Sequence, residues 1–331
     1  MVERRPGVMP PKPGPPPRRR PSARQLVRRR AGALVLLVLA LGGLGWLAVA
    51  AIGGGSSKPS TSAAETSSSL IYSTVTRTTN GKTTETVIAM PKPFHVVFPE
   101  GFTVRQMAAR VGAVKGIAKR ERHVTPLLSS RGYLAAVRRA TAPRCLRGRR
   151  TRMEGFLFPA TFEFFRATTN AQLVQEQLAA FCDNWSRVDL GYARKKNLTA
   201  YDVLIIASMV EKETLSPDER PLVAAVIYNR LHARMPLQID ATIRYGLDIP
   251  PTKSILESQL LGNSPYNTRK RRGLTPTPIA NPGLASMQAA AHPAKVDYLY
   301  FVRKPDKKHH FFTASYKAFR AYADAHGYGR P

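Results

Sequence analysis

The chain has 331 residues, 43% of them hydrophobic, and a formal net charge of +30 at pH 7. This apolar content is enough for a real core of one or two domains, whereas two cysteines are too few for a disulfide framework or a thiolate metal site. The basic charge suits polyanions in general (nucleic acid, anionic lipid or an acidic wall polymer) and does not choose among them.

The amino-terminal region predicts a membrane anchor. Residues 1–30 hold ten Lys or Arg against one Glu and are rich in Pro, so a disordered basic tail is expected. Residues 31–52 carry no charge and are long enough to cross a bilayer as one helix. The positive-inside rule then leaves the tail in the cytoplasm and the rest of the chain outside. A cleaved signal peptide is the alternative, because Ala48-Val49-Ala50 resembles a cleavage site, but the long basic region favours an uncleaved anchor.

A flexible linker rich in Gly and Ser is expected over residues 53–69. Residues 70–150 predict a small α+β module. Its first part is a β-hairpin, because β-forming residues alternate on both sides of Asn80-Gly81. Residues 94–112 then predict a strand, a turn and a helix, and residues 123–140 predict a further helix.

Residues 151–331 predict a helix-rich α+β domain with long, shaped loops. Loops of this length in a compact domain usually carry function. The expected fold class is therefore α+β, with a single N-terminal transmembrane helix ahead of both parts. Apolar spacing predicts helices over 170–185, 199–214, 219–233 and 284–292, and short buried strands over 297–302 and 309–314.

The most informative local feature is Glu211, which directly follows the apolar helical run 203–210. A carboxyl group delivered from a buried helix is partly desolvated, and desolvation disfavours the charged form of an acid. A general acid that works near neutral pH needs such an environment. Glu213 lies about 200° further round the helix and is expected to face elsewhere. The alternative is that both acids only mark the polar end of a core helix.

Seven further polar side chains occupy loop or turn positions from which they could line a groove. Amides, hydroxyls and an aromatic ring are the usual means of holding sugar hydroxyls and ring faces, although each residue type is also common as a cap or turn residue. The candidates are Glu154, Gln238, Asp240, Tyr266, Asn267, Thr268 and Asn281.

No cofactor is expected from the sequence. The seven histidines are scattered, and the adjacent pair His309-His310 lacks the spacing of a metal-ligand set. No Gly-rich phosphate loop follows a strand, so no nucleotide site is expected. Cys145 and Cys182 are expected to be either two thiols or one bridge.

Several longer segments carry a resemblance to a known family. They are EGFLFPATFEF (154–164), ASMVEKET (207–214), ERPLVAAVIYNRL (219–231), MPLQIDATIRYG (235–246), SPYNT (264–268), PIANPG (278–283) and AAAHPAKVDYLYFV (289–302). In order and spacing they resemble the MltG/YceG-like family of endolytic murein transglycosylases. The preceding VVFPEGFTVRQMAARV is similar to the LysM-like subdomain of that family.

The resemblance implies that Glu211 is the catalytic acid and base, and that segments 235–246, 264–268 and 278–283 line a glycan groove. It implies a lytic transglycosylase that cleaves the MurNAc-GlcNAc bond of peptidoglycan, leaves a 1,6-anhydro-MurNAc end and trims or terminates nascent strands. Three residues depart from the family pattern and affect loop shape, not the catalytic residue: Ala241, Thr275 and Thr277.

The implied partners are peptidoglycan glycan strands, the cytoplasmic membrane and, as candidates, cell-wall synthases. The implied location is the cell membrane, with one span and an extracytoplasmic catalytic domain. Two alternatives stay open: a hydrolytic muramidase that uses Asp240 or Glu213 as a second carboxylate, and a non-catalytic wall-glycan-binding scaffold of the elongation machinery. Nucleic-acid binding rests on charge alone, and the outward topology argues against it.

Overall fold

A computed structural model describes the backbone of residues 70–79 and 82–91 and, in full, residues 92–146 and 152–328. The predicted basic tail, membrane span and linker lie outside these residues. Among the described helices, none combines the length and apolar character that a membrane crossing needs. The described residues belong to one compact unit, Thr66–Pro331.

The described part of the chain is helix-rich α+β, as the sequence predicts. Its strands are β1 (Leu70–Thr79), β2 (Lys82–Pro91), β3 (Phe94–Val97), β4 (Thr161–Phe164), β5 (Tyr300–Arg303) and β6 (His310–Thr313). Its α-helices are α1 (Val104–Arg122), α2 (Ser130–Arg139), α3 (Asn170–Trp185), α4 (Gly191–Lys195), α5 (Ala200–Glu213), α6 (Arg220–His232), α7 (Asp240–Leu247), α8 (Glu257–Leu260), α9 (Leu284–Ala291) and α10 (Tyr316–Ala325). A 3-10 turn, Pro217–Glu219, leads into α6.

The six strands form three separate two-stranded antiparallel sheets. Strands β1 and β2 pair from Leu70↔Pro91 to Thr79↔Lys82, which confirms the predicted hairpin. Strand β3 pairs with β4, with Phe94 opposite Phe164, so main-chain pairing crosses the domain boundary expected at residue 150. The loop after β3 lies beside the carboxyl-terminal turn of α5, because a Cβ on Gly101 would lie 3.5 Å from Cγ of Glu211.

Three of the longer helices begin at a threonine with a polar residue three positions later. In α5 the Thr199 hydroxyl accepts from the N–H of Asp202, and the Asp202 carboxylate accepts from the N–H of Thr199. The same reciprocal capping box opens α1 at Thr103 and α3 at Thr169. This arrangement satisfies backbone donors that the helix leaves free at its first turn.

One predicted helix is partly wrong. The pattern over 123–140 predicts a continuous helix, but α1 ends at Arg122 and α2 begins only at Ser130. His123 adopts the left-handed conformation, with φ of 51°, which ends α1. Ser129 then caps α2 by accepting from the N–H of Gly132.

The core is built around α5, in which every residue from Val203 to Val210 is buried. Helix α5 packs against α6 and α9. Small buried residues on α9, among them Ser286 and Ala290, allow its backbone to approach α5 closely. Both α6 and α9 cover α5, and its carboxyl-terminal turn lies at the edge of the core.

Cys145 and Cys182 form a disulfide, with their Cα atoms 5.5 Å apart, a separation ordinary for such bonds. The sequence left open whether the two residues are thiols or a bridge. The bond connects the segment after α2 to α3, and thus links the two sides of the expected domain boundary.

Candidate active site

Glu211 lies in the last turn of α5 and is partly buried. The backbone N–H of Gly283 donates to its Oε2 atom over 3.0 Å. Gly283 is the N-cap residue of α9, so the positive end of that helix faces the carboxylate. The sequence predicts a carboxyl group at the end of a buried helix; the structure adds a donor that fixes its orientation.

Two loops enclose Glu211, one formed by residues 99–102 and the other by residues 278–283. The loops are paired by main-chain hydrogen bonds: Gly101 N–H donates to the Asn281 carbonyl and Asn281 N–H donates to the Phe102 carbonyl, both over 2.9 Å. Gly101 has φ of +74°, and a Cβ there would lie 3.5 Å from Cγ of Glu211. The first loop therefore passes directly against the catalytic candidate.

The second loop is also tied to α5 itself. Ser208 lies one turn before Glu211, and its hydroxyl accepts from the N–H of Ile279 over 3.0 Å. The same hydroxyl donates to the carbonyl of Ile205 over 2.7 Å. The position of the loop is thus set by the helix that carries the carboxylate.

Asn281 fixes the loops from inside. Its Oδ1 accepts from the N–H groups of Gly155 and Leu157 over 2.9 and 3.0 Å. Its Nδ2 donates to the Phe102 carbonyl and to Oε1 of Glu154, each over 2.9 Å. The side chain is fully buried, and its amide holds three chain segments together. Its role as a sugar contact stays a prediction.

Glu154, also predicted as a substrate contact, lies in the same buried network. It accepts from the N–H of Val104 over 3.0 Å and from the Tyr245 hydroxyl over 3.2 Å. Burial raises the pKa of Glu154 to about 7, against these hydrogen bonds, which lower it. The described contacts give Glu154 a structural role beneath the loops, and its contact with substrate stays a prediction.

The Tyr266-Asn267-Thr268 segment is buried and hydrogen-bonded within its own loops. The Tyr266 hydroxyl bonds that of Thr277 over 2.8 Å. The Asn267 amide donates to the carbonyls of Leu260 and Gly262, and the Thr268 hydroxyl accepts from the N–H of Ile239. Thr277, a departure from the family pattern, thus supplies a partner for Tyr266. Contacts of the segment with sugar stay predictions.

Gln238 and Asp240 are exposed, in contrast to the other candidates. The Gln238 side chain accepts from Nη1 of Arg230 over 3.0 Å. Asp240 accepts from both Nε and Nη2 of Arg269, over 3.0 and 2.9 Å. Both residues keep surface available for a ligand, and their role in binding stays a prediction.

Glu213 faces away from the Glu211 environment, as the helical spacing predicts. The N–H of Ala241, in the first turn of α7, donates to Glu213. Burial, reinforced by the nearby charge of Asp240, raises the pKa of Glu213 to about 7. Glu213 therefore stabilises the start of α7, a helix whose N-cap residue makes no side-chain hydrogen bond.

Sequence reasoning missed Glu100, which it treated only as part of a turn. A Cβ on Gly283 would lie 1.7 Å from Oε1 of Glu100, so this carboxylate rests against the same glycine that donates to Glu211. Nη2 of Arg220 lies 3.9 Å from Oε2 of Glu100. Partial burial, then the charge of Glu211, raises the pKa of Glu100, and Arg220 opposes the shift. The sequence feature that could have drawn attention to Glu100 is its position within VVFPEGFTVRQMAARV, the segment similar to the LysM-like subdomain of the family.

Within the described ranges, no group of three or more His, Cys, Asp and Glu side chains is arranged to hold a metal ion. The adjacent histidines contact different acids: His309 bonds Asp306 over 2.8 Å, and buried His310 bonds Glu219 over 2.7 Å. The second pair joins β6 to the start of α6.

The structure defines a helix-rich α+β protein in which two loops hold a carboxyl group at the end of a buried helix. Comparison with known sequences shows the family of the chain. The profile of the YceG-like family matches residues 64–325, and the chain belongs to this family.

Two curated relatives are both named endolytic murein transglycosylase. The chain is 36% identical over 229 residues to the one from Streptococcus pneumoniae strain R6, which covers 62% of this chain and 40% of that relative. It is 38% identical over 152 residues to the one from Bacillus subtilis strain 168, covering 46% of this chain and 42% of the relative. The chain thus spans less than half the length of these relatives.

The fold is also similar to a solved structure, that of a YceG-like protein from Listeria monocytogenes. The TM-score is 0.56 at 29% sequence identity, and the match covers 69% of this chain and 75% of the other.

Proposed function

We propose that this chain is an endolytic peptidoglycan lytic transglycosylase that uses Glu211 to cleave the MurNAc-GlcNAc bond. The observation that carries the proposal is the placement of Glu211, which leaves a buried helix between two paired loops and accepts a hydrogen bond from Gly283. Membership of the YceG-like family and the names of the curated relatives support the same activity.

The reaction requires one carboxyl group that acts twice. Protonated Glu211 donates its proton to the bridging oxygen, and the bond from C1 of MurNAc to that oxygen breaks. The resulting carboxylate takes the proton of the MurNAc 6-hydroxyl, whose oxygen closes on C1 to form the 1,6-anhydro ring. The proton balance returns to its starting point and no water is consumed, so a second carboxylate that activates water is not needed.

The proposal extends to topology on the strength of the sequence. Residues 31–52 would anchor the protein in the cell membrane, with the basic tail in the cytoplasm and the catalytic part outside. Peptidoglycan glycan strands are then the substrate, and cell-wall synthases acting on nascent strands are candidate partners.

The test is mass analysis of the products from purified glycan strands. Wild-type protein should release anhydro-ended fragments, one water lighter than the reducing ends of a muramidase. Glu211→Gln should lower cleavage by at least about 100-fold, whereas Glu121→Gln, at an exposed position on α1, should cleave normally. Reducing-end products would favour the muramidase, and strand binding without cleavage by any variant would favour the scaffold. Full activity of Glu211→Gln would overturn the assignment.

A further inference from the structure

Three aromatic side chains cluster where β5 meets α10. The centroid of the Tyr300 ring lies 5.5 Å from that of Tyr316 and 5.4 Å from that of Phe319. The Tyr316 and Phe319 rings are 6.2 Å apart, and all three separations are typical of packed aromatic pairs. Tyr300 and Phe319 are partly buried, whereas Tyr316, the first residue of α10, is 53% exposed. The cluster therefore presents one ring to solvent and supports it with two others.

A buried arginine joins this aromatic cluster to the predicted glycan groove. The Arg230 guanidinium lies over the Tyr300 ring, 5.2 Å from its centroid, and its Nε donates to the carbonyl of the residue before Tyr300 over 2.6 Å. Its Nη1 donates to the Gln238 side chain and to the carbonyls of the two residues before Gln238, each over 3.0 Å. A buried guanidinium requires such partners. One group thus holds the Gln238 side chain and the Tyr300 ring beside each other.

The surface around Gln238 continues to the end of α5. Asp240, two residues after Gln238, is exposed and begins α7. Burial is the main cause of the raised pKa of Glu213, but the charge of Asp240 adds to it and that of Arg303 opposes it. The start of α7 and the end of β5 therefore both lie near the last residue of α5. Because Glu213 and Glu211 face different sides of that helix, the aromatic cluster lies away from the bond to be cleaved.

The chemistry of this surface suits a sugar. One face of a pyranose ring consists of C–H groups that pack on an aromatic ring, while hydroxyl and acetamide groups need polar partners. The cluster offers the aromatic face, and the exposed Gln238 and Asp240 side chains offer the polar partners. A single exposed aromatic residue is ordinary on a protein surface. Tyr316 differs because its cluster is tied to a side chain of the predicted groove.

We propose that Tyr316, supported by Tyr300, forms a distal sugar subsite that binds a glycan strand away from the bond cleaved at Glu211. This inference rests on the proposed function, because an enzyme that cuts within a strand holds sugars on both sides of the cut. A long strand reaches the subsite, and a short oligosaccharide bound at Glu211 does not. The subsite adds affinity for long strands and takes no part in bond breaking.

A purely structural cluster makes a different prediction. If Tyr316 only packs α10 onto β5, its loss lowers the unfolding temperature and affects long and short substrates equally, and that result would overturn the proposal. Loss of a sugar subsite instead raises KM for long strands alone and leaves kcat almost unchanged, because the removed contact is the same before and during bond breaking. The dependence of KM on strand length therefore separates the two roles.

The experiment compares long glycan strands with a purified peptidoglycan tetrasaccharide as substrates of the full-length protein in detergent. Tyr316→Ala should raise KM for long strands about tenfold, the loss expected for one stacked ring, and its loss should be confined to these strands. Tyr316→Phe keeps the ring and should recover most of the affinity. Phe165→Ala is the matched control, because it removes another exposed aromatic ring, directly after β4, and it should keep the wild-type KM.

A binding measurement separates this inference from the proposed function. Fluorescently labelled long strands should bind about tenfold more weakly to the double variant Glu211→Gln and Tyr316→Ala than to Glu211→Gln. Equal affinities, with an unchanged KM for long strands in folded Tyr316→Ala, would overturn the inference and leave the proposed function standing. A change in self-association alone, measured by sedimentation, would also overturn it and assign the surface to a second copy of the chain. Cleavage by Glu211→Gln would instead remove the proposed function itself.

Discussion

Asn281 accepts hydrogen bonds from the N–H groups of both Gly155 and Leu157 through a single oxygen, Oδ1. This relationship joins the segment after residue 152 to the loop that ends at Gly283. The orientation of Glu211 therefore depends on an amide that does not touch it.

Asn281→Ala should destabilise the protein strongly. The substitution leaves two buried N–H groups without their acceptor and frees the Phe102 carbonyl and the Glu154 carboxylate from their donor. Each unsatisfied buried group costs about 1–3 kcal/mol, so a loss of about 3 kcal/mol or more is expected in urea denaturation. Asn263→Ala, which removes one exposed contact with Arg271, should change stability by less than about 0.5 kcal/mol. Equal losses of unfolding free energy in the two variants would contradict this prediction.

Gly155→Ala should be more harmful than Gly273→Ala. Both glycines have positive φ, +92° and +86°, so alanine is strained at each by about 1–2 kcal/mol. A Cβ at residue 155 would also lie 2.6 Å from Cγ of Pro278, whereas residue 273 has nothing within 4 Å. An additional loss of about 1–3 kcal/mol is expected for Gly155→Ala alone. Glycan cleavage by Gly155→Ala should fall together with its stability, because Pro278 belongs to the loop around Glu211. Chemical denaturation and glycan cleavage of both variants provide the check.

The stability of the protein should decrease between about pH 5 and pH 8. The pKa of Glu154 rises from an ordinary 4.5 to about 7 on folding, so the folded state holds its proton more tightly than the unfolded state. That stabilisation is complete below pH 4.5 and is lost as the pH rises through 7, by up to about 3 kcal/mol. The pKa of Glu213 is also raised, from 4.5 to about 7, so its stabilising contribution is likewise lost as the pH rises.

Glu154→Gln tests this dependence, because an amide does not titrate. The free energy of unfolding, measured in urea at several pH values, should fall less steeply in Glu154→Gln than in wild type. Glu121→Gln should retain the wild-type slope. Identical slopes for wild type and Glu154→Gln would show that Glu154 ionises in the fold as it does in water.

The disulfide between Cys145 and Cys182 should contribute about 3–4 kcal/mol, the amount expected from its sequence separation of 37. Thermal unfolding with and without a thiol reductant should show a clear drop in the transition temperature. The double variant Cys145→Ala and Cys182→Ala should unfold at the lower temperature and ignore the reductant. An unchanged wild-type transition after verified reduction of the bond would contradict the prediction.

The local parts of the structure could be predicted from the sequence. The hairpin of β1 and β2 follows from alternation and its turn residues, and α5 follows from its apolar run and the cap at Thr199. The position of Glu211 at the end of that run could also be predicted. These features depend on residues close together in the chain, so a short window contains the necessary information.

The partners of Glu211 could not be predicted in the same way. Glu100 and Gly283 are far from it in sequence, and nothing in the local pattern of a Pro-Glu-Gly turn indicates what will face it. Asn281 resembles a turn residue locally, yet it is fully buried and its side chain bonds two distant segments, at residue 102 and at residues 154–157. Such roles arise from tertiary contacts, which local propensity and periodicity do not encode.

The pairing of residues 101–102 with residue 281 also has a consequence for the order of events during synthesis. The chain leaves the ribosome from its amino terminus, so Glu100 appears early, Glu211 later and Gly283 last. Until that third position has emerged, the two carboxyl groups lack the glycine that brings them together. A nascent chain is therefore expected to complete the surroundings of Glu211 only after residue 283 has been made.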